Sequence, residues 1–213
     1  QKGASNALQA IPNSYLGPII RLQKGQTVLA TINNQLPEDS VVHWHGLHVP
    51  AASDGHPSQT VLPGVSYKVS FPVVNRAGTY WYHPHPDGTT GRQIANGLAG
   101  PIIVRAAHDP LPPMREQLLV LSDNRFLSDG SIDWADPHSP QGVVDEVNGR
   151  EGNKLFVNGQ IMPTISIRSG EVQRWRIINA SASRVYRLAL SGHAFVHVGS
   201  DGGLFERPVD VKE

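Results

Sequence analysis

The sequence predicts an all-β protein, a sandwich or barrel, and three observations carry that expectation. Short apolar or alternating stretches recur with turn residues between them. Glycine (21) and proline (17) are abundant for 213 residues, and no sustained helical period is present. Taken in order, strands are expected at Pro18 to Leu22, Thr27 to Ile32, Val41 to Val49, Ser66 to Val74, Thr79 to His83 and Pro101 to Arg105. The segment Asp109-Pro110-Leu111-Pro112-Pro113 then interrupts the rhythm, because three prolines lack the N–H that a strand ladder needs. A domain boundary is expected there, dividing the chain into residues 1–108 and 109–213.

Past that point the strand rhythm resumes at Gln117 to Leu121, Leu155 to Val157, Thr164 to Arg168, Glu171 to Ile178, Val185 to Ser191 and Phe195 to Val198, with a polar, turn-rich stretch between Asp123 and Asn153. Pro18, Ile20, Gly25, Ile32 and Asn34 recur at one constant offset as Pro163, Ile165, Gly170, Ile177 and Asn179, which reads as duplication of a strand, glycine turn and strand. Chance likeness between two hairpins is the plainer alternative. The residues from Gly202 to Glu213 begin another strand-like approach and stop. The second domain is therefore expected to be the N-terminal part of a unit completed by chain outside this sequence, since a half-built sheet leaves unpaired backbone groups at its edge.

Composition removes several function classes. Eighteen basic residues balance eighteen acidic ones, and no Lys/Arg cluster is present, so nucleic acid is not an expected partner. No apolar run approaches the ~18 residues of a membrane span, so no membrane insertion is expected. With no cysteine, disulfides, thiolate metal sites and a Cys nucleophile are excluded from this chain. The chain opens on Gln1 without Met, which permits a removed signal peptide.

The chemistry concentrates in two His-x-His pairs, His43-Trp44-His45-Gly46 and His83-Pro84-His85. Residues i and i+2 of a strand share a face roughly 6–7 Å apart, so each pair aims two imidazoles the same way. If the two strands lie near one another, four imidazoles converge. As cations they would repel, whereas as neutral ligands they would bind a transition metal. Imidazole without thiolate suits copper, zinc, iron or nickel, so the spacing by itself leaves the metal open.

These motifs carry a resemblance. His43-Trp44-His45-Gly46-Leu47, then Gly78-Thr79-Tyr80-Trp81-Tyr82-His83-Pro84-His85, then Gly91-Arg92-Gln93-Ile94-Ala95-Asn96-Gly97-Leu98-Ala99-Gly100 look like the first two copper motifs of the multicopper oxidases. Within that family they are most similar to bacterial laccases and copper-efflux oxidases. Asp129-Gly130-Ser131-Ile132-Asp133, Asn158-Gly159 and Ser200-Asp201-Gly202-Gly203-Leu204 resemble the same subgroup in the same order. The resemblance implies cupredoxin-like Greek-key β-sandwich domains, with His43 on a type 2 copper and His45, His83 and His85 on a type 3 pair. It implies that the remaining cluster ligands and the type 1 (blue) copper reside in a C-terminal part of the oxidase, which this chain would need as its partner for activity. It further implies dioxygen as acceptor, a small phenolic, aromatic or metal-ion reducing substrate, and a periplasmic or secreted location.

Asp54, in Ala52-Ser53-Asp54-Gly55, matches the position of an acidic residue that serves oxygen reduction in the similar copper-efflux oxidases, so the resemblance implies a proton role; the residues alone read equally as an Asp-Gly turn. Asp87 reads as a turn residue or a neighbour of the ligands. His48 and His56 fall outside the ligand positions, His193 and His197 read as ordinary strand or loop residues, and His108 and His138 lie in polar loops. Trp44, Tyr80, Trp81 and Tyr82 read as packing. Arg92 and Gln93 are expected to begin a helical segment that fixes the second motif from behind. The alternative to an oxidase is a non-catalytic copper-binding module for storage or delivery; a copper nitrite reductase is disfavoured by the missing cysteine.

Overall fold

A computed structural model describes residues 8–211. The N-terminal half contains β1 (Leu8–Gln9), β2 (Ile19–Gln23), β3 (Thr27–Asn33), β4 (Val42–His45), β5 (Ser66–Pro72), β6 (Gly78–Pro84), the short helix α1 (Thr90–Ala95) and β7 (Gly100–Arg105). Five of these strands form one sheet in the order β1-β2-β7-β6-β4, and β3 pairs antiparallel with β5 in a second. Alternation explains why the two sheets stack. Val28, Ala30 and Ile32 of β3 and Val69 and Phe71 of β5 face inward against Trp44, Tyr80 and Ile102, while Thr27, Leu29, Thr31 and Asn33 face outward.

The C-terminal half contains β8 (Arg115–Asn124), α2 (Pro140–Asn148), β9 (Lys154–Val157), β10 (Gln173–Asn179), β11 (Phe195–Ser200) and β12 (Gly203–Val211). A three-stranded sheet runs β10-β8-β9, with β10 parallel to β8, and β11 and β12 form an antiparallel pair. Residues 106–114, including the proline-rich segment, form no strand.

Three expectations need correcting. The strand expected to run to Val49 stops at His45, because Gly46 takes φ +83° and the Leu47 N–H turns back to donate to the Trp44 carbonyl. Thr164 to Arg168 and Val185 to Ser191 form no strand. Side chains rather than a ladder satisfy the first of these: the Ser166 carbonyl accepts from the Arg115 guanidinium and the Gln173 amide. The internal echo is thus preserved only in part. Gly25 and Gly170 both adopt positive φ (92° and 75°), and β3 and β10 match, but β2 has no strand counterpart. The polar stretch hides a helix as well: α2 starts at Ser139, whose hydroxyl accepts from the Gly142 N–H, with Pro140 at the first position.

The five-stranded sheet is buried on both faces. Its second face packs Ile19, Ala99 and Ile103 against Val120 and Ala180 of the C-terminal half, with Trp81 alongside. Tyr15 and Ser122 share a hydroxyl hydrogen bond of 2.9 Å, Arg176 Nη1 donates to Thr79 Oγ1 at 2.9 Å, and Asn124 Nδ2 donates to the Ala95 carbonyl at 2.8 Å. Among the described residues, no helix is long and apolar enough to cross a membrane.

Candidate metal centre

Cross-strand register assembles the site. In the antiparallel β4–β6 pair, His43 stands opposite His83, Trp44 opposite Tyr82 and His45 opposite Trp81. Directly opposed residues lie on the same face with Cβ atoms roughly 5 Å apart. Trp44 and Tyr82 therefore point together into the sandwich core, and His43 and His83 point together to the other face. His85 follows beyond the end of β6, tied to β4 because its N–H donates to the Val41 carbonyl at 3.1 Å. The result is four rings in one volume: His43 lies 5.7, 5.3 and 5.4 Å from His45, His83 and His85, while His83 lies 5.4 and 5.9 Å from His45 and His85, between centroids.

Backbone carbonyls set which nitrogen each ring offers. His43 Nδ1 lies 2.8 Å from the Asp54 carbonyl, and His83 Nδ1 lies 2.8 Å from the Pro84 carbonyl. A carbonyl only accepts, so both Nδ1 atoms carry hydrogen and both neutral rings present the Nε2 lone pair. His45 is turned the other way, its Nδ1 lying 3.2 Å from His83 Nε2. His43, His45 and His83 each place one nitrogen within 4.8 Å of the others. His85 Nδ1 is buried with no hydrogen-bond partner among the described residues.

Electrostatics favour the neutral form of His45 and His83. Burial, partly offset by the Pro84 carbonyl and reinforced by the three neighbouring imidazoles, pushes His83 down to about 4. His45 is lowered first by burial and then by His43 and His85, against an opposing pull from Asp201 in the β11–β12 turn. Neutral imidazole is the ligating form, so His45 and His83 are held in the state that binds a cation without first releasing protons.

The donor set fits copper. Two nitrogens each about 2.0 Å from one ion at a tetrahedral angle lie roughly 3.3 Å apart, close to the 3.2 Å between His45 Nδ1 and His83 Nε2. A cation between them satisfies two lone pairs that otherwise compete for one hydrogen, and the orphaned His85 nitrogen marks a further ring short of a partner.

Asp54 does two things beside His43. Its carbonyl accepts the Nδ1 hydrogen, and its carboxylate Oδ1 lies 3.4 Å from the same nitrogen. The Asp-Gly turn is also real: Gly55 takes φ +75°, and a Cβ there would sit 1.9 Å from the Val42 carbonyl oxygen. Helix α1 forms as expected: it packs on β6, Thr90 Oγ1 donates to the Pro86 carbonyl at 2.6 Å just past the second motif, and it also anchors the approach to the first motif. Gln93 is fully buried, accepts from Ser40 Oγ at 2.8 Å and donates to the Asp39 carbonyl at 2.8 Å, and Arg92 pairs with Glu38. Trp81 packs against the site, its ring 5.1 Å from His45 and 4.3 Å from His83.

The remaining histidines stay apart from the cluster. His48, His56, His108, His138, His193 and His197 are exposed, His56 caps a short turn through Ser58, and His197 packs on Phe205; Asp87 is exposed too. Sequence reasoning missed Asn75. Its buried amide accepts from the His48 N–H and donates to the Gly46 carbonyl, clamping the turn after His45; the Asn-Arg-Ala-Gly turn it begins was the available signal.

Comparison with known proteins gives this geometry a family. One multicopper oxidase family model matches residues 1–109 and a second matches residues 120–213. The chain belongs to the multicopper oxidase family, and its all-β, cupredoxin-like fold agrees with the expectation from sequence. It is 32% identical over 205 residues to the multicopper oxidase mco of Staphylococcus aureus, covering 94% of this chain and 44% of that protein. It is 31% identical over 218 residues to the cell division protein FtsP of Escherichia coli K12, covering 99% of this chain and 44% of that protein. Among solved structures, the laccase-like CueO of Ochrobactrum, described as active towards lignin model compounds, superposes with a TM-score of 0.82 at 32% identity, covering 94% of this chain and 45% of that one. The chain thus spans less than half the length of these relatives.

Proposed function

We propose that this chain is the N-terminal part of a laccase-like multicopper oxidase, coupling one-electron oxidation of a small phenolic, aromatic or metal-ion substrate to four-electron reduction of dioxygen to water. In this reading His43, His45, His83 and His85 supply half of the ligands of a trinuclear copper cluster. His43 serves a type 2 ion and the other three a type 3 pair. The observation that carries it is the convergence of four imidazoles across the β4–β6 register, with His45 and His83 spaced to share one ion. Family membership and the solved laccase-like relative support it.

Copper supplies one-electron redox chemistry toward dioxygen when bound. The chain's own residues orient the ligands and handle protons. The Asp54 and Pro84 carbonyls hold the His43 and His83 rings with Nε2 free, and Trp81, packed against His45 and His83, keeps those two rings from turning. Asp54 Oδ1, beside His43 and partly open to solvent, is the group placed to hold a proton for water formation.

The rest of the reading concerns what lies around this chain. We place the domain division at residues 108/109, a position supported by the family match that ends at residue 109. The type 1 copper and the remaining cluster ligands belong to a C-terminal part, since the chain has no cysteine and spans 44% of its curated relatives. The family resemblance supports export to the periplasm or medium, which cell fractionation checks.

Copper content and oxygen uptake test the proposal in protein carrying the C-terminal part. The expected result is oxygen uptake with a phenolic donor, lost together with cluster copper when any of the four histidines becomes alanine. A second reading, a copper-holding module without turnover, draws on the relative named for cell division rather than oxidation. Copper retained by all four histidines with no oxygen uptake would select it, and full copper retention after alanine replacement of His45 and His83 together would overturn both.

A further inference from the structure

The N-terminal half contains a hollow that shares His83 alone with the four-histidine cluster. It enters the sandwich between the Tyr15–Pro18 loop, the end of β3 and the turn at residues 97–99, and has a volume of about 460 Å³. Its inner end reaches Val42, Pro84 and His83, where β4 and β6 pair. The volume sits at the lower end of the ~300–1,000 Å³ range of small-molecule pockets.

The wall states what chemistry the hollow accepts. It carries no Asp, Glu, Lys or Arg, its surface is mostly apolar, and Leu16, Ile32, Leu36, Leu98, Tyr67 and Tyr82 are among the side chains that line it. A charged ligand would lose its hydration there without a counter-charge. Several of the polar groups are satisfied within the protein. Asn34 Nδ2 donates to the Glu38 and Val61 carbonyls, its Oδ1 accepts from the Leu36 N–H, and the Tyr82 hydroxyl donates to the Pro18 carbonyl. Tyr67 keeps a donor to spare. Its hydroxyl oxygen accepts from the Val42 N–H at 2.8 Å, and its own hydrogen has no acceptor among the described residues. A half-buried O–H donor in an otherwise apolar chamber wants one acceptor.

We propose that this hollow is a second binding site, for a small uncharged aromatic molecule bearing one acceptor oxygen, seated with its ring among the aliphatic and tyrosine side chains and its oxygen on the Tyr67 hydroxyl. The site borders the metal centre through His83, but it does not rest on the oxidase reading, because occupancy is measured without copper.

Acetophenone is the probe, toluene the control without an acceptor, and calorimetry or ligand-observed NMR on the metal-free whole protein the measurement. One saturable site is expected for each. Tyr67→Phe should weaken acetophenone about fivefold to tenfold, the worth of one neutral hydrogen bond, and leave toluene unchanged. Leu98→Trp, which fills the mouth from a partly exposed position, should abolish both while the thermal unfolding midpoint stays near wild type. Three outcomes overturn the proposal: no saturable binding to the wild type, equal binding to folded Leu98→Trp, or equal weakening of the two probes by Tyr67→Phe.

Discussion

His43 and His83 face one another directly across the β4–β6 ladder, and each gives its Nδ1 hydrogen to a backbone carbonyl, so both keep Nε2 free on the same side of the sheet. The arrangement couples ring orientation to main-chain position. Anything that moves the Asp54 or Pro84 carbonyl moves one of the nitrogens proposed to hold copper.

The first prediction concerns the shared ion. Because His45 Nδ1 and His83 Nε2 lie 3.2 Å apart, removing either ring should cost the same copper. His45→Ala and His83→Ala are each expected to lower copper content by one ion per protein, and the double variant should lose little more. Elemental analysis decides, and additive losses would mean that the two rings serve different ions.

The second is a pH dependence of stability in metal-free protein. His83 titrates at about 4 when folded, mainly because it is buried, against about 6.5 when unfolded. As pH falls below about 6.5 the unfolded chain takes up this proton first, so stability is fully present above that pH and falls until about pH 4, where the loss levels off. The full span is worth about 3 kcal/mol. Urea unfolding at about pH 7 and about pH 4.5 measures it, and His83→Gln should flatten the difference. An unchanged slope in that variant would assign the titration elsewhere.

Asp54 separates backbone from side-chain function. Asp54→Asn retains the carbonyl that holds His43 and removes the ionisable Oδ1. Copper content should remain at the wild-type level while oxygen uptake in the complete oxidase drops by about a hundredfold or more, the usual scale of a general acid–base group. Loss of copper along with activity would instead give the carboxylate a purely structural role.

Gly55 holds a backbone conformation that no larger residue can share. At its φ of +75°, a Cβ would lie 1.9 Å from the Val42 carbonyl oxygen, which leaves Gly55→Ala no relaxed conformation. A destabilisation of about 1–3 kcal/mol is expected, with weaker copper retention as the Asp54 carbonyl shifts from His43. A thermal midpoint equal to the wild type would show that the turn can relax.

A fifth prediction addresses the join between the halves. Arg176 donates to Thr79 Oγ1 at 2.9 Å and to Glu116 Oε1 at 2.6 Å, while Glu116 also holds Arg105 and Arg174. Arg176→Ala leaves Glu116 with two cations but breaks the bond to β6. A loss of about 1–3 kcal/mol is expected from chemical unfolding, with the copper content of the folded protein unchanged.

Much of this protein is legible in its residues before any tertiary contact is known. Period-two alternation marks β3 and β5, because a strand between core and solvent must write its two faces into neighbouring residues. The two His-x-His pairs announce the candidate ligands, because i and i+2 share a face whatever the surroundings. Thr164 to Arg168 and Val185 to Ser191 read as strands and are not, since pairing depends on a neighbouring chain segment rather than on local pattern. Helix α2 is hidden in a polar stretch whose cap residues, Ser139 and Pro140, carry little apolar signal.

What the sequence determined by itself is the inventory: which residues could ligate, which face each would take on its own strand, and the absence of any thiolate. Only the tertiary structure decided that His43 stands opposite His83, that His45 presents Nδ1 where its neighbours present Nε2, and that the Asp54 carbonyl rather than its carboxylate sets the His43 ring. Register and ring orientation come from contacts between residues far apart in the chain, and no local rule links position 43 to position 83.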